Sequence, residues 1–420
     1  MKKAVLLLLL AALWVAACAA PVETPAPTPD KRPTVTPLGA APITRPETPT
    51  LPPPTLEPEP TSEPASTSPL PTPVVESPLS TPTAGVQRPT LAAPSSELRT
   101  LTVLTHQSFV LSDAVLQRFE QENNARVQFI RQGDAGQALT RAILTADNPE
   151  ADVIFGVDNT FMGRALGAGI LEPYRSGRLS SVPREYQLDS TFQLAPIDFG
   201  DVCLNYDKAY FAQKKLQPPQ SLADLAKPEY RDMLVVENPA GSSPGLAFML
   251  ATISAFGEDR WLGFWADLKE NGVKVVEDWN TAYYTEFSGS SGKGPRPIVA
   301  SYASSPPAEV VFAEPPIDTA PTAAITAPQT CFRQIEFAGI LKGTQNRDLA
   351  EKWIDFMLSV PYQEDLPLNQ FVYPINPQAK LPAAFTKWSA TAQAPANLAP
   401  DVIAANRDRW IEEWTNAVLR

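Results

Sequence analysis

Histidine occurs once in 420 residues, at His106. A single imidazole excludes most histidine-based zinc sites and leaves one candidate base for any Ser-His-Asp arrangement. No GxSxG, HExxH or P-loop pattern accompanies it. Cysteine is nearly as scarce: Cys18, Cys203 and Cys331 are all the chain has, and no two share a CxxC spacing that would point to zinc or redox chemistry. Lysine and arginine form no cluster, and the net charge of −12 argues against nucleic acid as a partner. The sequence therefore does not describe an enzyme and requires neither a cofactor nor a metal. An excess of acids accommodates a cationic or neutral small molecule more readily.

The N-terminal part is organised for export, not for folding. Lys2 and Lys3 precede an apolar run from Ala4 to Val15, then small residues, and residues 1–17 read as a signal peptide too short to span a bilayer as a mature helix. Val15-Ala16-Ala17-Cys18 resembles the lipobox of bacterial lipoproteins, which implies a lipidated Cys18 as the mature N-terminus. Acyl chains contribute about 0.8 kcal/mol per buried methylene, enough to hold the protein on the outer face of a membrane. Residues 18–97 carry 22 of the chain's 46 prolines with abundant Thr, Ser, Ala and Glu. Such a segment buries too little apolar surface to fold and reads as a semi-rigid, disordered tether. In an exported protein, the remaining even pair Cys203 and Cys331 suggests one disulfide.

Residues 98–420 are the folded part, and their pattern is α/β. LRTLTVLT, RVQFIRQ and ADVIFGV read as strands. Between them lie a helix capped by Ser112, with Val115, Leu116 and Phe119 on one face, and a helix capped by Asp134, with Leu139 and Ile143 four apart. This β-α-β-α-β order predicts a parallel sheet with helices on its faces. The alternation resumes through DVCLNYD, MLVVEN, a helical SPGLAFMLATISAFG, VKVVED and PIVASY. It closes with CFRQIEFAGIL, the helix NRDLAEKWIDFMLS and a last helix from Asp401 bearing Trp410 and Trp414.

Ligands of open α/β sheets sit beyond the carboxyl ends of strands, so the strand ends are where function should concentrate. Four carry polar or aromatic clusters: THQSF (105–109), VDN (157–159), EDWNTAYY (277–284) and ASYASSP (300–306). Each has a plain reading beside a functional one. His106 is a loop residue near a pocket or a ligand contact. Asp158 ends a turn or meets a cation. Tyr283 and Tyr284 belong to core or rim. Ser242-Ser243-Pro244-Gly245 caps a helix, and the same amides can hold an anion. Trp279, directly after Glu277 and Asp278, is harder to read as packing alone; aromatic faces near carboxylates suit a planar cation.

Taken together, LTVLTHQSF, ADVIFGVDN, PIDFGDVCLNYD, PPQSLADL, SSPGLA, DWNTAYY, SYASSP, QIEFAGIL, FVYPI and RDRWIEEWTNAV resemble, in order and spacing, the thiamine-binding substrate-binding proteins of bacterial ABC importers. The resemblance implies the type 2 periplasmic-binding-protein fold, with two α/β lobes joined by crossover strands and closing like a hinge. One lobe would span about 98–198 plus part of 333–370, the other about 199–332 plus the C-terminal segment. It further implies a monomeric receptor that binds thiamine, free or phosphorylated, and delivers it to the membrane permease of an importer.

The ligand contacts implied by the resemblance are Ser108, Asp158, Asn159, Ser242, Trp279, Tyr302 and Ser305, with His106 and Phe371 at positions where the family carries other residues. His106-Gln107 stands in place of Tyr-Asp, Ala308 in place of a tyrosine, and Phe371 in place of a tryptophan. Cys203 and Cys331 each fall on a segment that aligns with a crossover strand. If those strands are neighbours, the thiols come within the roughly 5.5–6 Å Cα separation of a disulfide. Related receptors bind ferric iron through a tyrosine pair, for which Tyr283, Tyr284 and Tyr302 are candidates, or bind polyamines; these are the alternatives within the same fold.

Overall fold

The structure is a computed structural model that describes residues 98–396 and 398–420. The signal segment, Cys18 and the proline-rich tether lie outside the described residues.

Three strands, β1 (Arg99–Thr105), β2 (Ala125–Arg131) and β3 (Val153–Asp158), run parallel in the order β2-β1-β3. The helices between them start where the sequence places caps. Ser112 Oγ accepts from the Val115 N–H, and Asp134 forms a capping box with Gln137. The short β4 (Leu171–Glu172) follows. β5 (Ala195–Asp207) is then much longer than its neighbours, because APIDFG continues directly into DVCLNYD.

A second parallel group is built from β6 (Leu234–Glu237), β7 (Lys274–Val276) and β8 (Ile298–Tyr302), in the order β8-β6-β7. β9 (Thr322–Ile325) pairs with the distal part of β5. β10 (Phe332–Leu341) returns antiparallel to β5, and the short β11 (Tyr373–Pro374) lies against β5.

The path through the sheet is β2-β1-β3-β10-β5-β8-β6-β7. The sheet is thus parallel within each half and antiparallel through the middle. β-α-β periodicity predicts the first property. Two strands that serve both halves impose the second. β10 pairs with β3 through Glu336–Ile340, whereas β5 pairs with β8 through Val202–Tyr206. The register of β10 shifts against both neighbours between Glu336 and Ala338, so the bends fall where one half gives way to the other. The fold is a two-lobed α/β architecture with paired crossover strands.

Apolar layers cover both faces of the sheet. On one face of the first lobe, Phe119, Trp353, Phe356 and Tyr362 pack edge-on or tilted over β1 to β3. The helix Ser243–Phe256 has every residue from Ser243 to Ile253 buried, as an apolar run without an exposed face must. The last helix, Pro400–Val418, touches both lobes. Trp414 meets Trp265 edge-on at 5.3 Å on one side. On the other, the Arg407 guanidinium sits 4.5 Å over Phe161, and Ala404 approaches Gly163 where a Cβ would not fit.

Continuing the β5–β10 register past Val202↔Phe332 sets Cys203 opposite Cys331, and the two are bonded, with Cα atoms 4.3 Å apart and a sequence separation of 128. A cross-link closing a loop of that size removes chain entropy from the unfolded state. Replacing both cysteines by serine should therefore lower unfolding stability by about 3–5 kcal/mol. Denaturant unfolding without reductant, comparing both forms, measures this; equal midpoints would contradict it.

Candidate functional site

Between the lobes lies a cavity of about 310 Å³, at the small end of the roughly 300–1,000 Å³ typical of small-molecule sites. The loop after β1 contributes His106, Gln107, Ser108 and Val110, and the start of the helix Ala135–Leu144 contributes Asp134 and Ala135. From the facing lobe come Ser243, Pro244, Trp279, Asn280, Tyr283 and Tyr284. Tyr302, Ser305, Ala308 and Phe312 extend that wall. Glu336 enters from β10, and Asn369 to Val372 close one end.

Trp279 is held from several sides. Its indole N–H donates to Ser301 Oγ at 2.9 Å, its backbone N–H donates to Asp134 Oδ2 at 3.2 Å, and Tyr283 stacks on it at 5.0 Å. Tyr284 meets the same indole edge-on at 5.5 Å. A π turn, Thr281–Glu286, carries both tyrosines. Tyr302 donates its hydroxyl to Gln334 Oε1 at 3.2 Å, and Ser301 and Ser305 share a hydrogen bond of 3.2 Å. Phe371 has a left-handed φ of 55°, uncommon for an aromatic residue and typical of strain held at a functional position. Opposite the first loop, Gly156 in β3 is required: a Cβ there would lie 2.7 Å from the His106 ring.

Contacts across the cleft hold the lobes together. Ser108 Oγ donates to Asn280 Oδ1 at 3.1 Å, the Trp279 N–H reaches Asp134, and the Ser243 hydroxyl donates to the Asp158 carboxylate. Phe312 and Phe371 meet edge-on at 5.8 Å.

Among the described residues, the lining contains two carboxyls and no lysine or arginine. Burial pushes the Asp134 carboxyl up to about 6, against hydrogen bonds from Ser242 and the Trp279 N–H that oppose the shift. Burial, reinforced by Asp198 and Asp158, drives the Glu336 carboxyl well above the usual range. Behind the wall, burial and the charge of Asp134 raise the Glu237 carboxyl in the same way. His106 is driven the other way, to about 4, by burial and then by Arg131, so it is neutral at physiological pH. The cavity is an acidic, aromatic-walled box.

Six of the nine anticipated ligand residues line it: His106, Ser108, Trp279, Tyr302, Ser305 and Phe371. Asp158, Asn159 and Ser242 sit just behind it. The Asp158 carboxyl is fully buried; it accepts from the Thr160 N–H at 2.6 Å, from Gln334 Nε2 at 3.1 Å and from Ser243. It therefore ends the turn after β3 and ties the two lobes together. Its value is raised to about 6, by burial first, with the Thr160 and Phe161 hydrogen bonds and Arg407 opposing.

Asn159 uses its side chain as an extra strand partner, donating to the Arg333 carbonyl at 3.1 Å and accepting from the Ile335 N–H at 3.0 Å. Ser242 caps the helix Ser243–Phe256 through the Gly245 N–H. Asp134, anticipated as a cap alone, also lines the cavity, as do Asn280, Phe312 and Glu336, which are not among the anticipated residues. Asp134 follows the end of β2, where the strand-end rule applies, and Glu336 is an acid inside an otherwise apolar strand. Both signals were available.

Residues 148–411 match the family of bacterial extracellular solute-binding proteins. The thiamine-binding periplasmic protein of Escherichia coli K12 is 30% identical over 327 residues, covering 76% of this chain and 94% of that protein. That of Brucella suis is 29% identical over 343 residues, covering 78% and 95%. A solved periplasmic thiamin binding protein superposes with a TM-score of 0.68 at 26% identity, covering 77% of this chain and 97% of the other. A ferric binding protein from Campylobacter jejuni shares the fold, with a TM-score of 0.63 at 16% identity. The chain belongs to the bacterial extracellular solute-binding protein family. It is a binding protein and not an enzyme.

The buried acid of the cavity wall makes a pH-dependent prediction. Burial raises the folded-state value of Asp134 above its unfolded one. Its contribution to stability is thus complete below pH 3.8 and is lost as pH rises through about 6. Asp134→Asn, which keeps a capping oxygen, should stabilise the ligand-free protein by about 2 kcal/mol at alkaline pH and far less in acid. Urea unfolding at both ends of the range checks this; a shift independent of pH would count against it.

Proposed function

We propose that the protein captures thiamine, a heterocycle with a permanent positive charge, outside the cell and delivers it to the permease of an ABC importer. The observation that carries this reading is the pairing of carboxyls with aromatic walls in a cavity lined, among the described residues, by no lysine or arginine. A cation there gains electrostatic attraction and stacking at once, each on the order of 1 kcal/mol or more. Trp279, Tyr302 and Phe371 supply aromatic surface, and Ser108, Ser305 and Asn280 supply directional hydrogen bonds. Asp134 and Glu336 supply charge. Asp158, Asn159 and Ser242 act one layer out, holding lobes and loops in place. The thiamine-binding relatives support the choice of ligand.

The ferric alternative would rest on Tyr283, Tyr284 and Tyr302. Burial holds the hydroxyls of Tyr283 and Tyr302 well above their usual range, which opposes the tyrosinate that iron needs. Titration calorimetry with thiamine tests the main reading. We expect saturable binding, weakened about tenfold or more by Trp279→Ala. No heat with thiamine or its phosphates, together with a visible tyrosinate band on adding ferric citrate, would replace thiamine by iron.

Anchoring through Cys18 completes the proposal: one fixed end and a proline-rich spacer keep the receptor beside its permease. Metabolic labelling with a fatty-acid analogue should mark the native protein and not Cys18→Ser. Equal labelling of both would rule out the anchor.

A further inference from the structure

The crossover strands carry two acids that the binding site alone does not explain. Glu336 of β10 and Asp198 of β5 are direct partners in the register, at the point where the β10 ladder shifts. Asp198 is fully buried and Glu336 is 7% exposed, facing the cavity. Among the described residues, no N–H or hydroxyl reaches either Asp198 oxygen. The carboxyl of Glu336 is the donor in range, provided it carries a proton.

Among the described residues, the surroundings of the pair supply no counter-charge. Asp158 faces the pair from the end of β3, Tyr302 from β8 and Tyr362 from the helix Val360–Asn369. Asp134 lies further along the cavity, within electrostatic reach of Tyr302. Arg333, on the same strand, is committed to a two-pronged ion pair with Asp201 at 2.8 and 2.9 Å, and Arg407 faces Asp158. Two adjacent buried carboxyls without a cation do not both ionise; they titrate as a unit.

We propose that Asp198 and Glu336 share one proton across the crossover strands in the ligand-free receptor, and release it to solvent when a cation settles against Glu336. The proton leaves as the pair takes its second negative charge, the cation supplies the balancing charge, and no bond of the ligand changes. This rests on the reading of the cavity as a cation site, and it makes Asp198, which never touches the ligand, a positioning residue that sets how capture depends on pH. Affinity then rises with pH by up to about tenfold per unit for the single proton involved, across the window in which the pair titrates. Burial and mutual repulsion place that window above the ordinary carboxylate range.

The test has two arms. In calorimetry, thiamine binding is measured in two buffers of different ionisation heat, for the native protein and Asp198→Asn. The variant leaves Glu336 beside a neutral amide, so it should release fewer protons and show a flatter dependence of affinity on pH. Asp134 and Asp158, which titrate lower, are present in both forms and cancel in the comparison. Equal proton release by the two forms would overturn the proposal.

The second arm uses no ligand. In a carbon-13 titration of the native protein labelled at side-chain carboxyls, a signal assigned to the pair through Asp198→Asn or Glu336→Gln should stay protonated well above the usual carboxylate range. Ordinary titration of both acids would overturn the shared proton. A failure of thiamine to bind, with the raised titration intact, would overturn the choice of ligand and leave the pair standing.

Discussion

The antiparallel pairing of β5 with β10 is the constraint on which the molecule depends. Without it there are two three-stranded parallel sheets with unpaired inner edges. With it the edges are satisfied, a cleft opens between the lobes, and the floor of that cleft is made of backbone that both lobes share. The disulfide fixes one end of this pair and the register shift bends its middle. Glu336 sits where a strand becomes a hinge, and so its side chain belongs to the cavity and its backbone to the sheet.

The cavity wall is arranged at a cost to the empty protein. Asp134, Glu237 and Glu336 are buried acids with raised proton affinity, and each would be replaced by an apolar residue if stability alone were selected. Their gathering in one small volume, against aromatic side chains and a neutral histidine, supports the proposal of a positively charged guest. A second layer keeps the wall in place. Asp158, Asn159, Ser242 and Ser301 make hydrogen bonds to residues that line the cavity or to the strands beneath it.

Much of this was legible in the sequence, and the rest was hidden for physical reasons. Periodicity and caps locate the helices at Ser112, Asp134 and Ser242, because local hydrogen bonds decide them. The strand-end rule finds the loops holding His106, Trp279 and Tyr302, because loop position follows from strand direction. Periodicity does not reveal that DVCLNYD and CFRQIEFAGIL cross between lobes, since pairing partners are set by distant chain. Resemblance to a family supplied that.

The same gap separates Asp158 from Asp134. Both follow strands and both precede helical turns, yet only one side chain lines the cavity. The difference is one of layer: the turn after β3 directs its acid into the lobe interface, toward Ser243 and Gln334, and no local pattern encodes that.

The chain order of the sheet also bears on how the protein comes to be folded. β3 and its neighbour β10 are separated by about 170 residues of chain. A polypeptide emerging from its N-terminus thus displays three parallel strands long before the strand that covers their edge exists, and before Trp353 and Tyr362 arrive to bury their apolar face. In that interval an open edge and an oily surface are exposed to any neighbouring chain. The architecture that makes a good clasp therefore leaves its central edge open until distant chain closes it.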